Sequence, residues 1–328
     1  MPTLPSCSDY STSIVVNSLI KAPMLHSGMP EMHNGRPVKY AGGFCIVFPY
    51  KANGKKYAVR CWHAHLEGAE ERIRKISEAL EGIHLPYFVG FQYVKEGIIT
   101  TQGIQPIVVM DWVNAKPLKQ YISAHLNESS VLNALADSFA EMVKDLHIHN
   151  LSHGDLQHGN IMVKDDGSLV LVDYDSMYVP ELDGYTDEIS GLAGYQHPAR
   201  WSNKYLSPQA DYFSELIIYT SIKALAELPE LWNDLCMEDT DTMLFSSEDI
   251  KSGGTSPIFT IIESTKSCRD LSAKIKDFLS KNAITELEAL EEATVSYLDK
   301  LGDQWKDNGF QTSSAYNKSE VTNVIKKW

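Results

Sequence analysis

The stretch from Leu146 to Asp175 constrains the fold more than any other part of the chain. A helical pattern ends at Leu146-His147, and a polar loop follows as His153-Gly154-Asp155-Leu156-Gln157-His158-Gly159-Asn160. A β segment over 160–174 then turns at Asp165-Asp166-Gly167 and closes on Leu169-Val170-Leu171-Val172-Asp173-Tyr174-Asp175. Asp-Gly between two apolar runs is hairpin chemistry, so the second strand returns Asp173 to the loop that bears Asp155 and Asn160. Two carboxylates and a carboxamide are thereby gathered at one place, with a helix before them and a hairpin after.

The flanking patterns say what carries this hairpin. Phe44–Pro49 and Tyr57–Trp62 read as strands, and Asn53-Gly54 between them is a turn signal. Ala69–Ile83 has Ile73, Ile76, Leu80 and Ile83 on one helical face. Two more strands are expected near Tyr87–Val94 and Ile104–Met110, and helices over Leu118–Leu126, Val131–His149 and Ala210–Leu228. A strand-rich part followed by a helical part is a sequential α+β layout. Residues 1–36 are turn-rich and form an extension with one short strand or helix near Ile14–Ile20, and Ile284–Leu301 reads as an acidic amphipathic helix. Residues 302–328 are polar and read as a loose tail.

Bulk properties exclude several classes. A formal net charge of -14 over 328 residues disfavours nucleic acid and anionic membrane as partners, since both need a positive face. Five cysteines without a CxxC pair give neither a disulfide framework nor a zinc site. The first 25 residues lack a basic then apolar leader, and no apolar run is long enough to span a bilayer. A soluble protein of the reducing cytoplasm is expected.

Asp155, Asn160 and Asp173 suit one chemistry well. A carboxylate can orient a hydroxyl and accept its proton, while an amide oxygen and a second carboxylate can hold Mg²⁺ against phosphates. The loop HGDLQHGN and the triplet DYD resemble the catalytic loop and the metal-binding triplet of the protein-kinase superfamily. Gly191-Leu192-Ala193-Gly194-Tyr195-Gln196-His197-Pro198 is similar to the end of that family's activation segment, and Asp211 to the buried acid that braces the catalytic loop. Tyr57-Ala58-Val59-Arg60 resembles the strand with the phosphate-binding lysine. Ile107–Val113 resembles the adenine-holding strand and hinge, with Met110 as gatekeeper and Asp111 and Trp112 beyond it.

The resemblance runs in order over residues 38–230 and implies an α+β, bilobal protein-kinase-like fold. An N-lobe and hinge would occupy 37–113, a helical C-lobe 114–295, and a helix end and tail 296–328. It implies ATP and Mg²⁺ as cofactors, Asp155 as base, and Asn160 and Asp173 as metal ligands. It implies transfer of the γ-phosphate to a hydroxyl, with a protein as acceptor. Gly42 and Gly43, with Arg60, Met110, Asp111 and Trp112, would touch the nucleotide.

Several positions depart from the family. Arg60 stands for the lysine, and the helix glutamate falls at Ile76, which leaves Arg60 to reach Asp173 or phosphate directly. The glycine loop 40–45 keeps glycine at the middle position only. Gln157 and Leu192 together replace a Lys–Thr pair of serine/threonine kinases, and Gly154 replaces the arginine that reads activation-loop phosphorylation. These departures keep two other functions in view. One is a pseudokinase that binds nucleotide or acts as a scaffold. The other is a small-molecule kinase like the aminoglycoside and choline kinases, whose HGD loop HGDLQHGN also resembles.

Overall fold

The computed structural model describes residues 4–64, 68–188 and 191–294. Its first lobe is an antiparallel sheet made of β1 (Met29–Pro30), β4 (Tyr40–Ala41), β5 (Cys45–Ala52), β6 (Lys55–Trp62), β7 (Phe91–Thr100) and β8 (Gly103–Asp111). The strands lie in the order β1-β5-β6-β8-β7, with β4 also paired to β5. A separate ribbon, β2 (Met32–His33) with β3 (Arg36–Pro37), precedes β4. Asn53 and Gly54 both take positive φ and close the β5–β6 hairpin as expected. The strand expected from Tyr87 begins instead at Phe91, after a turn-rich stretch that contains Pro86, which cannot donate to a ladder.

Each face of the sheet is covered by a different element. On one face, α2 (Ala69–Glu81) buries Ile73, Ile76 and Leu80 against Trp62, Phe91, Val108 and Met110. On the other, the N-terminal extension forms a second core. Tyr10, Ile14, Ile20, Ala22 and Leu25 pack on Ile46, Phe48, Tyr50, Val59, Cys61, Ile98, Ile107 and Val109. The helix of the extension, α1 (Cys7–Ser13), lies earlier than the stretch expected from apolar residues. Ser6 and Asp9 form a capping box that fixes its start, and Ile14 and Ile20 anchor the chain outside it.

The second lobe is helical. β9 (Lys116–Pro117) leads into α3 (Leu118–Ala124), and α4 (Ser129–Ile148) packs along α5 (Tyr212–Glu227). β10 (Ile161–Val163) pairs with both β9 and β11 (Leu169–Leu171). Short helices follow: α6 (Leu231–Asp234), α7 (Ser247–Lys251), α8 (Pro257–Glu263), α9 (Arg269–Leu279) and α10 (Leu290–Ala293). The expected helix over Ile284–Leu301 is broken. A 3₁₀ turn at Ile284–Glu286 and an extended Leu287 separate it from α10, and its end from Val295 onward lies outside the described residues. Buried Ile284, Leu287 and Leu290 are spaced by three, which serves a tight turn as well as a helix. No helix among the described residues is long and apolar enough to cross a membrane.

His147 fastens α10 to the lobe. Its Nε2 lies 3.0 Å from Glu215 Oε1 on α5, its Nδ1 lies 2.9 Å from Glu291 Oε2 on α10, and the Tyr212 ring packs at 4.8 Å. Burial disfavours the imidazolium, but the two carboxylates outweigh it and push the pKa from 6.5 up to about 9. A folded-state pKa above the unfolded one stabilises fully below the unfolded value and is lost as pH rises through the folded one. Unfolding titrations from pH 7 to pH 10 should therefore lose about 2 kcal/mol that His147→Gln does not lose, allowing for the partly exposed Glu291. Parallel curves for the two proteins would refute this.

Candidate active site

The loop that bears Asp155 is held from three sides. Asp211, buried at the start of α5, accepts hydrogen bonds from the backbone N–H groups of His153 and Gly154, the latter at 3.0 Å. The fully buried His153 ring donates from Nε2 to the carbonyl of Val172 at 2.9 Å, tying the loop to the residue before Asp173. Arg200, also buried, donates to the Gly154 carbonyl at 3.1 Å and pairs through Nε with Asp187 at 2.8 Å. Gly154 sits at φ +77 with the Ser176 carbonyl where a Cβ would stand, so no L side chain fits there. The family's arginine is absent at that position because this backbone excludes it.

The three predicted polar groups converge. Asp155 Oδ1 accepts from Leu192 N at 3.1 Å, and Oδ2 accepts from Asn160 Nδ2 at 3.0 Å. Asn160 Nδ2 also reaches the Asp155 carbonyl at 2.8 Å, while its Oδ1 takes no hydrogen bond among the described residues. Burial raises the Asp155 pKa, and Asp173 adds to the rise, which places the two carboxylates within electrostatic reach. Asp173 has φ +69, and this turn separates it from its buried neighbour. Tyr174 lies under Phe88 and Phe91, and its hydroxyl donates to Leu171 O and accepts from Val89 N. Asp173 stays about half exposed.

Beside these groups, a cavity of about 430 Å³ opens between the lobes. Val47, Ala58, Met162 and Val172 make its apolar walls, Met110, Asp111, Trp112 and Val113 one edge, and Arg60 and Asp173 its polar end. Gly42 and Gly43 stand at the tip of the β4–β5 hairpin, outside the residues lining the cavity. There Gly42 N donates to Cys45 O, and a Cβ at Gly43 would meet nothing. From that hairpin Tyr40, Cys45 and Val47 face the cavity instead. Val113 lies within the expected hinge but was not singled out, and its backbone groups have no hydrogen-bond partner among the described residues.

Arg60 has two partners, where the sequence suggested one. Nη1 lies 2.8 Å from Asp173 Oδ1, as one expectation had it, and Nη2 lies 2.5 Å from Asp175 Oδ2. Burial works against the guanidinium charge, but Asp175 and Asp173 outweigh it and raise its pKa further. Burial pushes the Asp175 carboxyl up, against the pull of Arg60. Ile76 is fully buried in the core, so α2 supplies no acid at the expected place. Asp175 and Arg200 are the residues that motif reading overlooked. For Asp175 a signal existed: an arginine without its helix glutamate implies an acid elsewhere.

The histidines near this loop do not share a metal. His147, His149, His153 and His158 each contact a different group. No cluster of three or more His, Cys, Asp or Glu among the described residues is placed to hold an ion.

A family model of the protein kinase domain matches residues 41–288. The chain belongs to the protein kinase family. The matched part takes in both lobes and the cleft, and it leaves out the extension that covers the outer face of the sheet. The interferon-induced, double-stranded RNA-activated protein kinase of Mus musculus is similar, 25% identical over 251 residues. The match covers 72% of this chain and 46% of that protein, so the chain spans about half the length of the relative it matches.

Proposed function

We propose that this kinase-family chain binds Mg·ATP in the interlobe cavity and transfers the γ-phosphate to a hydroxyl on a protein. The supporting observation is the Asp155 carboxylate. It is fixed by Leu192 N and Asn160 beside a cleft whose polar end carries Asp173 and Arg60.

The donor set suits Mg²⁺. Asn160 has a free amide oxygen and Asp173 a carboxylate, and Mg²⁺ takes one or two protein oxygens and completes its shell with phosphate and water. When bound, the ion neutralises charge on the phosphates as the terminal bridge breaks. The chain's own residues do the rest. Asp155 accepts the hydroxyl proton as the acceptor oxygen bonds to phosphorus, and the bond from phosphorus to the β–γ bridging oxygen breaks, leaving ADP. Arg60 meets phosphate charge, and the exposed edge of Val113 offers an N–H and a C=O to adenine.

The Arg200–Asp187 pair bears on regulation. It links the activation segment to the Gly154 carbonyl with a carboxylate, in the role a phosphate plays elsewhere in the family. Activity is therefore expected from unphosphorylated protein.

A second reading, nucleotide binding without turnover, has one observation in its favour, the Arg60 contact that occupies Asp173 Oδ1. Thermal shift with Mg·ATP and γ-phosphate transfer to a peptide library, both on phosphatase-treated protein, decide between them. Stabilisation with transfer is expected. Stabilisation without transfer selects the second reading, and neither effect removes both.

A further inference from the structure

Within the kinase reading, we infer that Asp175 is a positioning residue that takes half of the Arg60 guanidinium and so leaves Asp173 able to meet a divalent ion.

Arg60 projects from β6, paired to Val47 on one side and Val108 on the other, and is 5% exposed. Its charge has two acids in reach, Asp173 toward the cleft and Asp175 in the protein interior. A buried cation with a single acid partner holds that acid tightly, because neither can be rehydrated. Without Asp175, the guanidinium would turn wholly onto Asp173, and a metal would have to displace it.

Helix α2 cannot supply the missing charge. Its Ile76 is buried, Glu78 pairs with Arg74 on the exposed face, and Glu71 contacts the Tyr185 hydroxyl. What α2 turns inward is Arg72, whose charge favours ionised Asp175 and whose Nε and Nη1 have no hydrogen-bond partner. The charges thus run Asp173, Arg60, Asp175, Arg72. The acid that steadies the phosphate-side cation lies two residues from the metal ligand rather than on the helix.

The test uses full-length protein with Mn²⁺ as probe, titrated by calorimetry in the presence of a non-hydrolysable ATP analogue. Asp175→Asn should weaken Mn²⁺ binding about ten- to a hundred-fold, the range for residues that orient metal ligands, and Asp175→Glu should recover most of it. The double variant Arg60→Met with Asp175→Asn carries no buried unpaired charge and covers the case in which Asp175→Asn fails to fold. With no cation left to occupy Asp173, its Mn²⁺ affinity should return close to wild type. A purely structural Asp175 would lower the melting temperature and leave Mn²⁺ affinity unchanged, and that result overturns the inference, as does a double variant that binds weakly. Wild type that binds neither Mn²⁺ nor the analogue overturns the kinase reading itself, so the two failures are distinguishable.

Discussion

Asp155→Asn is expected to lower phosphoryl transfer by about two to four orders of magnitude while Mg·ATP still raises the melting temperature. The substitution is nearly isosteric and removes the group that accepts the proton. Leu192 N and Asn160 Nδ2 both donate to this side chain, so the carboxamide keeps one of these bonds and presents an NH₂ to the other donor. That mismatch costs on the order of 1 kcal/mol in stability, small beside the expected loss of rate. Nucleotide binding should persist, because the cavity is lined by Met110 to Val113, Arg60 and Asp173 and not by Asp155.

The pH profile gives a second handle on the same residue. Burial first, and Asp173 next, raise the Asp155 pKa above that of an ordinary carboxylate. The base form is then lost at a higher pH than usual, and the acid limb of kcat should shift upward. Equal rates in wild type and variant, measured with γ-labelled ATP, would remove Asp155 from the mechanism.

Motif reading located the site because its residues lie close in sequence. His153 to Asp175 form one hairpin-bearing segment, and turn chemistry at Asp165-Asp166-Gly167 dictates that Asp173 returns to Asp155. What stayed hidden depends on approach between distant segments. Asp175 meets Arg60 across 115 positions, and Arg200 reaches Gly154 across 46. The glycine at 154 could be read as a loss. It is instead required by a positive φ and by the carbonyl of Ser176, neither of which leaves a periodic trace in the sequence.

The extension was the least legible part. Tyr10, Ile14, Ile20 and Leu25 follow no single period, because α1, a 3₁₀ turn and extended links deliver them one at a time. The outer face of β5, β6 and β8 gave a hint that pattern reading passed over. Ile46, Phe48, Tyr50, Val59, Cys61, Ile107 and Val109 are apolar there, while the inner face is apolar too. A sheet apolar on both faces needs two covers, and α2 can be only one of them.

Deleting residues 1–26 should therefore abolish stable folding of the kinase domain, although the family match begins at residue 41. The segment buries four large side chains, Tyr10, Ile14, Ile20 and Leu25, each 4% exposed or less. At about 1.5–3 kcal/mol each, their loss removes roughly 6–12 kcal/mol, which equals the whole stability of a typical domain. The Tyr10 hydroxyl bond to the Trp62 carbonyl goes as well, and so does the bridge between Ile20 and Ile98 at the sheet edge. Phe48 and Tyr50 would then face water beside Ile46 and Ile107, a contiguous apolar surface that favours aggregation. A single change measures the same effect within a folded protein. Ile14→Ala should cost about 2–4 kcal/mol and lower the melting temperature by roughly 5–10 °C. A truncated chain that stays monomeric and melts within a few degrees of the full protein would show that the second core is dispensable and that the sheet needs only α2 to hold the nucleotide cleft.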